Sequence, residues 1–159
     1  MKITIVCVGK VKEKYLRDAI AEYEKRLSRY CKLQVIEVVD EKTPDGASTV
    51  VEDQIREKEA ERILKNLRLD DPVVTLEIEG KQMDSVAFAQ KIEQIGVEGV
   101  SHIQFVIGGS LGLHEKVSKV SGWKLSFSRM TFPHQLMRVI LLEQIYRGYR
   151  IINGEPYHK

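Results

Sequence analysis

Apolar and polar positions along this chain fall into two alternating rhythms, and their alternation predicts the fold. Lys2 to Val8 is a short run rich in β-branched residues and reads as a strand. From Glu13 to Tyr30 the apolar and aromatic positions are Tyr15, Leu16, Ala19, Ile20, Tyr23, Leu27 and Tyr30, a helical spacing with charges on the other face. Leu33 to Val39 predicts a second strand. Val50 to Leu67 predicts a charged helix with a sparse apolar side of Ile55, Ala60, Ile63, Leu64 and Leu67. A third strand spans Val73 to Ile78, and Glu79-Gly80-Lys81-Gln82 reads as a loop. Asp84 is then an N-cap candidate for a helix over Ser85 to Ile95. A fourth strand is expected over 103–107, a short helix near His114 to Val120, a fifth strand over 124–127 and a last helix over roughly 134–150.

This βα alternation implies an α/β fold: a mostly parallel sheet with helices on both faces, in one domain spanning residues 1–159. The last helix adds something. Leu136, Met137, Val139, Ile140, Leu141, Leu142, Ile145, Tyr146 and Tyr149 point in too many directions for one face on a sheet. A fully buried helix accounts for this, and a twofold dimer packed through that helix does so more economically.

Composition narrows the class. A hydrophobic content of 43% beside 30% charged residues excludes a disordered chain. No apolar run approaches the ~18 residues that span a bilayer. The opening run is too short, and lacks the cleavage site, for a signal peptide. Cys7 and Cys31 have neither CxxC spacing nor a histidine cluster around them. That argues against a metal site and suits a reducing compartment, so the cytoplasm is expected. The net charge of +2 hides an uneven distribution. Residues 1–32 carry nine Lys/Arg against four Asp/Glu, residues 33–70 six against ten, and residues 129–159 five against two. Basic ends and an acidic middle suggest a polyanion met by one face, and merely solvated helix faces give the same pattern.

The candidate chemistry gathers in two loops that follow the fourth and fifth strands, where open α/β sheets bind ligands. Gly108-Gly-Ser-Leu-Gly112 is neither a P-loop nor a dinucleotide fingerprint, which disfavours a nucleotide-dependent oxidoreductase. Its glycines permit positive φ and close approach of backbone amides to a ligand, although a tight strand-to-helix turn has the same pattern. Ser126-Phe-Ser-Arg-Met-Thr-Phe-Pro-His134 mixes aromatic rings, a Met and hydroxyls in a way suited to clasping a flat heterocycle. Pro133 suits a first helical turn. His134 reads equally as a general base or as a capping or core residue. No Ser-His-Asp triad, carboxylate pair or metal cluster can be assembled, which leaves chemistry whose reactive group a cofactor supplies. A binding module without enzymatic activity is the alternative.

At these residues the chain resembles the SPOUT class of S-adenosylmethionine-dependent RNA methyltransferases, over essentially its full length. The resemblance rests on Lys2-Ile-Thr-Ile-Val-Cys-Val-Gly-Lys10, Glu79-Gly-Lys81, Phe105-Val-Ile-Gly-Gly-Ser-Leu-Gly112 and Leu125-Ser-Phe-Ser-Arg-Met-Thr-Phe-Pro-His-Gln-Leu136. It continues through Glu143-Gln-Ile-Tyr-Arg147 to Pro156-Tyr-His158. It implies a C-terminal trefoil knot in roughly 73–155, an exception to the rule that folds are unknotted. It implies a homodimer that methylates N3 of a pseudouridine in large-subunit (23S) ribosomal RNA within the assembled ribosome. S-adenosylmethionine would be held by Leu76, Gly108 and the run Phe127, Ser128, Arg129, Met130, Thr131 and Phe132, with no metal. For such a reaction the candidate catalytic groups are His158, Tyr157 and Arg150 near the C-terminus and Arg129 in the cofactor loop.

Overall fold

One strand, β4 (His102–Ile107), is buried at every residue, and the sheet is assembled around it. A computed structural model describes residues 1–159. In chain order the elements are β1 (Lys2–Val8), α1 (Lys14–Leu27), β2 (Lys32–Val38), α2 (Thr49–Lys65), β3 (Val73–Gln82), α3 (Ser85–Val97), β4, α4 (Glu115–Ser118), β5 (Trp123–Ser126) and α5 (His134–Ile152). The five strands are parallel and ordered β2-β1-β4-β3-β5. Ile5 sits opposite Val35 on one side and Phe105 on the other. Because every strand points the same way, every strand-to-helix loop emerges at one edge of the sheet.

Helices cover both faces. On one, α1, α3 and α5 close a core that includes Ile3, Ile5, Leu16, Leu27, Phe88, Ile103, Phe105, Leu125, Leu141 and Ile145. On the other, α2 and α4 close a smaller one built on Val6, Val8, Ala60, Ile63, Val106 and Val117. Side-chain caps start two of the helices: Asp84 accepts from Ala87 N, as the sequence predicts, and Ser48 accepts from Val51 N. Of the predicted apolar face of α1, Leu16, Ile20 and Leu27 are buried, whereas Tyr15 stands 71% exposed. No helix is long and apolar enough to cross a membrane, and no cluster of three His, Cys, Asp or Glu side chains could hold a metal ion.

Part of the apolar surface of α5 is absorbed within the chain, because α5 packs against both α1 and α3 with Leu141, Leu142 and Ile145 fully buried. Leu136, Met137, Val139, Ile140 and Tyr146 keep exposed surface, so the helix is not fully buried. The predicted loop Glu79–Gln82 instead belongs to β3. Leu76 and Lys81 both pair with Leu125, so the residues between them form a bulge. The polar sequence hid this because the bulge needs a residue without a side chain rather than an apolar one. A Cβ on Gly80 would lie 2.7 Å from the Lys124 carbonyl oxygen. Gly80→Ala should therefore force β3 and β5 apart, lowering stability by about 1–3 kcal/mol. Gly122→Ala, where a Cβ meets nothing within 4 Å, is the control. Thermal unfolding of the two variants compares them, and equal midpoints would contradict the close approach.

Candidate functional site

At the carboxyl edge of the sheet, the start of the bulge in β3 and the loops after β4 and β5 enclose a cavity of about 580 Å³. Its apolar wall includes Leu76, Ile107, Leu125, Phe127 and Met137. Its rim is Gly108 to Gly112 on one side and Ser128 to His134 on the other, with Arg129 outside the lining. Thus Leu76, Gly108, Phe127, Ser128, Met130, Thr131 and Phe132 converge on one space, and Arg129 stands exposed on the same loop. A larger hollow, bordered by Met1, Tyr30 and Leu33, lies at the amino edge of the strands. That is the wrong end of a parallel sheet for a ligand held by the βα loops.

Local chemistry fixes both loops. In the first, positive φ occurs only at Gly112, which closes a tight bridge with Gly109. Gly108 matters for a different reason from the one its sequence suggests: a Cβ there would lie 2.9 Å from the Gly112 carbonyl carbon. The loop folds back on itself over that missing side chain. Arg56 of α2 also reaches the Leu111 carbonyl, and His114 caps α4 by accepting from Lys116 N at 3.1 Å. In the second loop Ser126 Oγ donates to the Ser128 carbonyl at 3.0 Å, and Ser128 Oγ accepts from Met130 N at 2.9 Å. Pro133 precedes α5, and its carbonyl accepts from Met137 N. His134 opens that helix, half-buried against the cavity. Burial pushes its pKa down, the Arg138 guanidinium pushes it further, and Asp40 partly opposes them.

The C-terminal tail returns along α5 instead of fraying. Arg150 Nη1 donates to Glu155 at 2.6 Å and to the Tyr30 hydroxyl at 3.0 Å, and its Nη2 donates to the Pro156 carbonyl. Tyr157 packs edge-on against Tyr146 and donates to Glu143 Oε1 at 3.2 Å, with the Arg147 guanidinium over its ring. Burial first, and then Glu143, push the Tyr157 pKa up to about 12. His158 Nδ1 lies 3.1 Å from Arg147 Nη1. An arginine can only donate, so Nδ1 is the acceptor and the neutral ring carries its proton on Nε2. His158 borders a second hollow that shares Leu125, Phe127 and Phe132 with the cavity wall. Sequence reasoning missed Arg147 and Glu143 as the groups that seat the tail, although their i, i+4 spacing on α5 was visible. It also missed Glu77, which lines the cavity beside Leu76.

The charge pattern acquires a geometry. The basic α1 and the C-terminal segment lie together: Arg26 stacks over Tyr23 and Tyr146, and Arg29 pairs with Glu155 at 3.4 Å. The acidic α2 packs on the opposite face of the sheet.

Comparison with known proteins adds to this geometry. A family model described as "Predicted SPOUT methyltransferase" matches residues 1–158. The ribosomal RNA large subunit methyltransferase H of Bifidobacterium adolescentis is 65% identical, with all of both chains aligned. The protein of the same name from Clostridium tetani is 61% identical over the same extent. A putative one from Methanococcus maripaludis is 65% identical. Among solved structures, a probable methylase family protein from Haemophilus influenzae superposes with a TM-score of 0.57 at 16% identity, covering 99% of this chain and 70% of that one. A putative methyltransferase from Legionella pneumophila, solved with bound S-adenosylmethionine, superposes with a TM-score of 0.50 at 8% identity, covering 94% and 66%. These two likenesses speak to the fold alone.

The environment of His134 predicts a titration. Its folded pKa lies below the ordinary 6.5, so the unfolded chain takes up the proton first as pH falls. Stability from this group is present above that value and is lost as pH drops from there to the folded pKa. His134→Gln should flatten that part of the stability–pH curve. An imidazole resonance titrating at or above the ordinary value in the folded protein would contradict the assignment.

Proposed function

The chain belongs to the SPOUT methyltransferase family, and from that premise we propose that it methylates N3 of a pseudouridine in large-subunit (23S) ribosomal RNA. The methyl donor is S-adenosylmethionine, and the enzyme works as a homodimer with a knotted C-terminal half, on the assembled ribosome in the cytoplasm. The observation that carries this reading is the cavity on which the bulged part of β3 and the loops after β4 and β5 converge. Its size is within the range of small-molecule sites, and its wall is mostly apolar with a rim of backbone amides and hydroxyls. That lining suits a flat heterocycle joined to a polar chain. The empty space where a Gly108 Cβ would sit is taken by the folded-back loop, so the cradle exists only with glycine there. Relatives named as large-subunit ribosomal RNA methyltransferases support the substrate class.

When bound, the cofactor supplies an electrophilic methyl group on a cationic sulfur, and the protein supplies orientation. Leu76, Gly108 and the Phe127–Phe132 run would hold it. Tyr157 keeps its phenolic proton at neutral pH, so it positions the tail and donates hydrogen bonds. His158, seated by Arg147, would present Nε2–H, a donor suited to a carbonyl oxygen of the target base as the N3 proton passes to solvent water. To act as a base at Nδ1 it would have to leave Arg147. Arg150 holds the tail by its carbonyl and by Glu155. Arg129 makes no ion pair and stays free on the cofactor loop to meet negative charge on the substrate. The basic α1 and C-terminal face suits the RNA backbone.

Three outcomes test this. Gly108→Ala, and more severely Gly108→Arg, should weaken S-adenosylmethionine binding roughly tenfold or more by calorimetry while the chain stays folded. A wild-type chain silent toward both S-adenosylmethionine and its demethylated product would indicate a binding protein instead. Deleting Pro156 to Lys159 should preserve cofactor affinity yet remove most methyl transfer to ribosomes, with the loss in the single-turnover rate. Full activity after truncation would exclude a role for the tail and move the search to His134 and Arg129. Ile140→Asp should shift a dimer to monomer in sedimentation, whereas Ile145→Asp, fully buried within the chain, should unfold it. A wild-type monomer at micromolar concentration would contradict the dimer.

A further inference from the structure

Glu77 is the only cavity-lining residue with a carboxylate, and no Lys or Arg lines the cavity. It follows Leu76 in β3, at the start of the bulge. Its oxygens are held by hydroxyl groups. Thr75 Oγ1 donates to Oε2 at 2.6 Å, and Ser118 Oγ of α4 lies 3.0 and 3.1 Å from Oε1 and Oε2. Thr75 itself is fully buried and further braced by Ser121 at 2.8 Å. A carboxylate that served only to tie β3 to α4 would be stabilised best by a cation, as Glu143 is by Arg147 and Glu155 by Arg150. Neutral donors orient Glu77 without cancelling its charge. The cavity therefore holds one fixed negative charge, in a partly enclosed space where screening is weaker than in bulk water.

We propose that Glu77 is the charge-selecting residue of the cavity, favouring a ligand with a cationic sulfonium over the same ligand with a neutral thioether. This rests on the reading of the cavity as the S-adenosylmethionine site. Methyl transfer removes the positive charge from the donor's sulfur, so the bound product has one cation fewer than the bound donor. An oriented carboxylate binds the donor more tightly than the product and so drives exchange of product for fresh donor. Because the sulfur's charge is already fading in the transition state, the residue acts on ligand selectivity rather than on the chemical step. Glu77 is in this sense a specificity-determining residue. Ser118 and Thr75 are its positioning residues.

Calorimetry with S-adenosylmethionine and S-adenosylhomocysteine tests this without any turnover. Glu77→Gln keeps the shape and removes the charge. It should weaken the sulfonium ligand selectively, lowering the ratio of the two affinities by about tenfold, and it should abolish the fall of that ratio with added salt. Ser118→Ala keeps the charge and should retain most of the ratio even where both affinities drop. Equal weakening of both ligands by Glu77→Gln, or no change in either, would overturn the proposal and leave the cofactor site standing. A wild-type chain that binds neither ligand would overturn the cofactor reading itself, and the proposal with it.

Discussion

The all-parallel ladder around β4 is the constraint from which the rest of the structure follows. With β1 on one side and β3 on the other, β4 is closed to solvent on both faces and both edges. A strand so placed has to be apolar, as Ile103, Phe105, Val106 and Ile107 are, and its few polar groups need partners inside the protein. His102 meets Thr4 at 2.8 Å and Asp71 at 2.7 Å, and Gln104 both accepts from Arg68 N and donates to its carbonyl. Parallel pairing forces each return connection over a face of the sheet, and it delivers the loops after β4 and β5 to one edge beside the bulged part of β3. The cavity is a consequence of that delivery.

Small residues and short contacts then turn converging loops into a shaped site. Gly108 lets the loop after β4 close on Gly112, and Gly80 lets the bulged end of β3 lie against Lys124. The bulge ends the regular pairing just past Leu76 and starts at Glu77, which Ser118 and Thr75 anchor. On the other side of the molecule the Arg150–Glu155–Tyr30 cluster bends the chain back so that the last residues lie on α5. Both devices use side chains far apart in sequence, and both place functional groups against the same apolar wall of Leu125, Phe127 and Phe132.

What could be read from the sequence follows from which forces are local. Strand and helix alternation was legible because burial on a sheet imposes a periodicity on neighbouring residues, and the predicted elements agree with the observed ones to within a few positions at their ends. The glycine loop and the aromatic loop stood out because both break the plain polarity of a surface turn. Strand order, the bulge in β3 and the role of Gly108 were not legible, since each depends on backbone meeting backbone across the fold. Glu77 looked like one more charge in Leu76-Glu-Ile-Glu-Gly80 until Ser118 was brought beside it. The apolar excess of α5 is resolved only in part, because periodicity counts apolar directions but not the helices that fill them. Here α1 and α3 help bury Leu141, Leu142, Ile145 and Tyr149 and leave Leu136, Met137, Val139, Ile140 and Tyr146 with exposed surface.

The central claim is that the bulged part of β3 and the loops after β4 and β5 form the methyl-donor site. The most direct measurement is the map of backbone amide resonances that shift when S-adenosylmethionine is titrated into the uniformly labelled protein. The account predicts that the largest shifts fall on Leu76 and Glu77, on Gly108 to Gly112 and on Phe127 to Phe132, with the amino edge of the sheet unmoved. Shifts centred instead on Met1, Tyr30 and Leu33, at the opposite hollow, would contradict it.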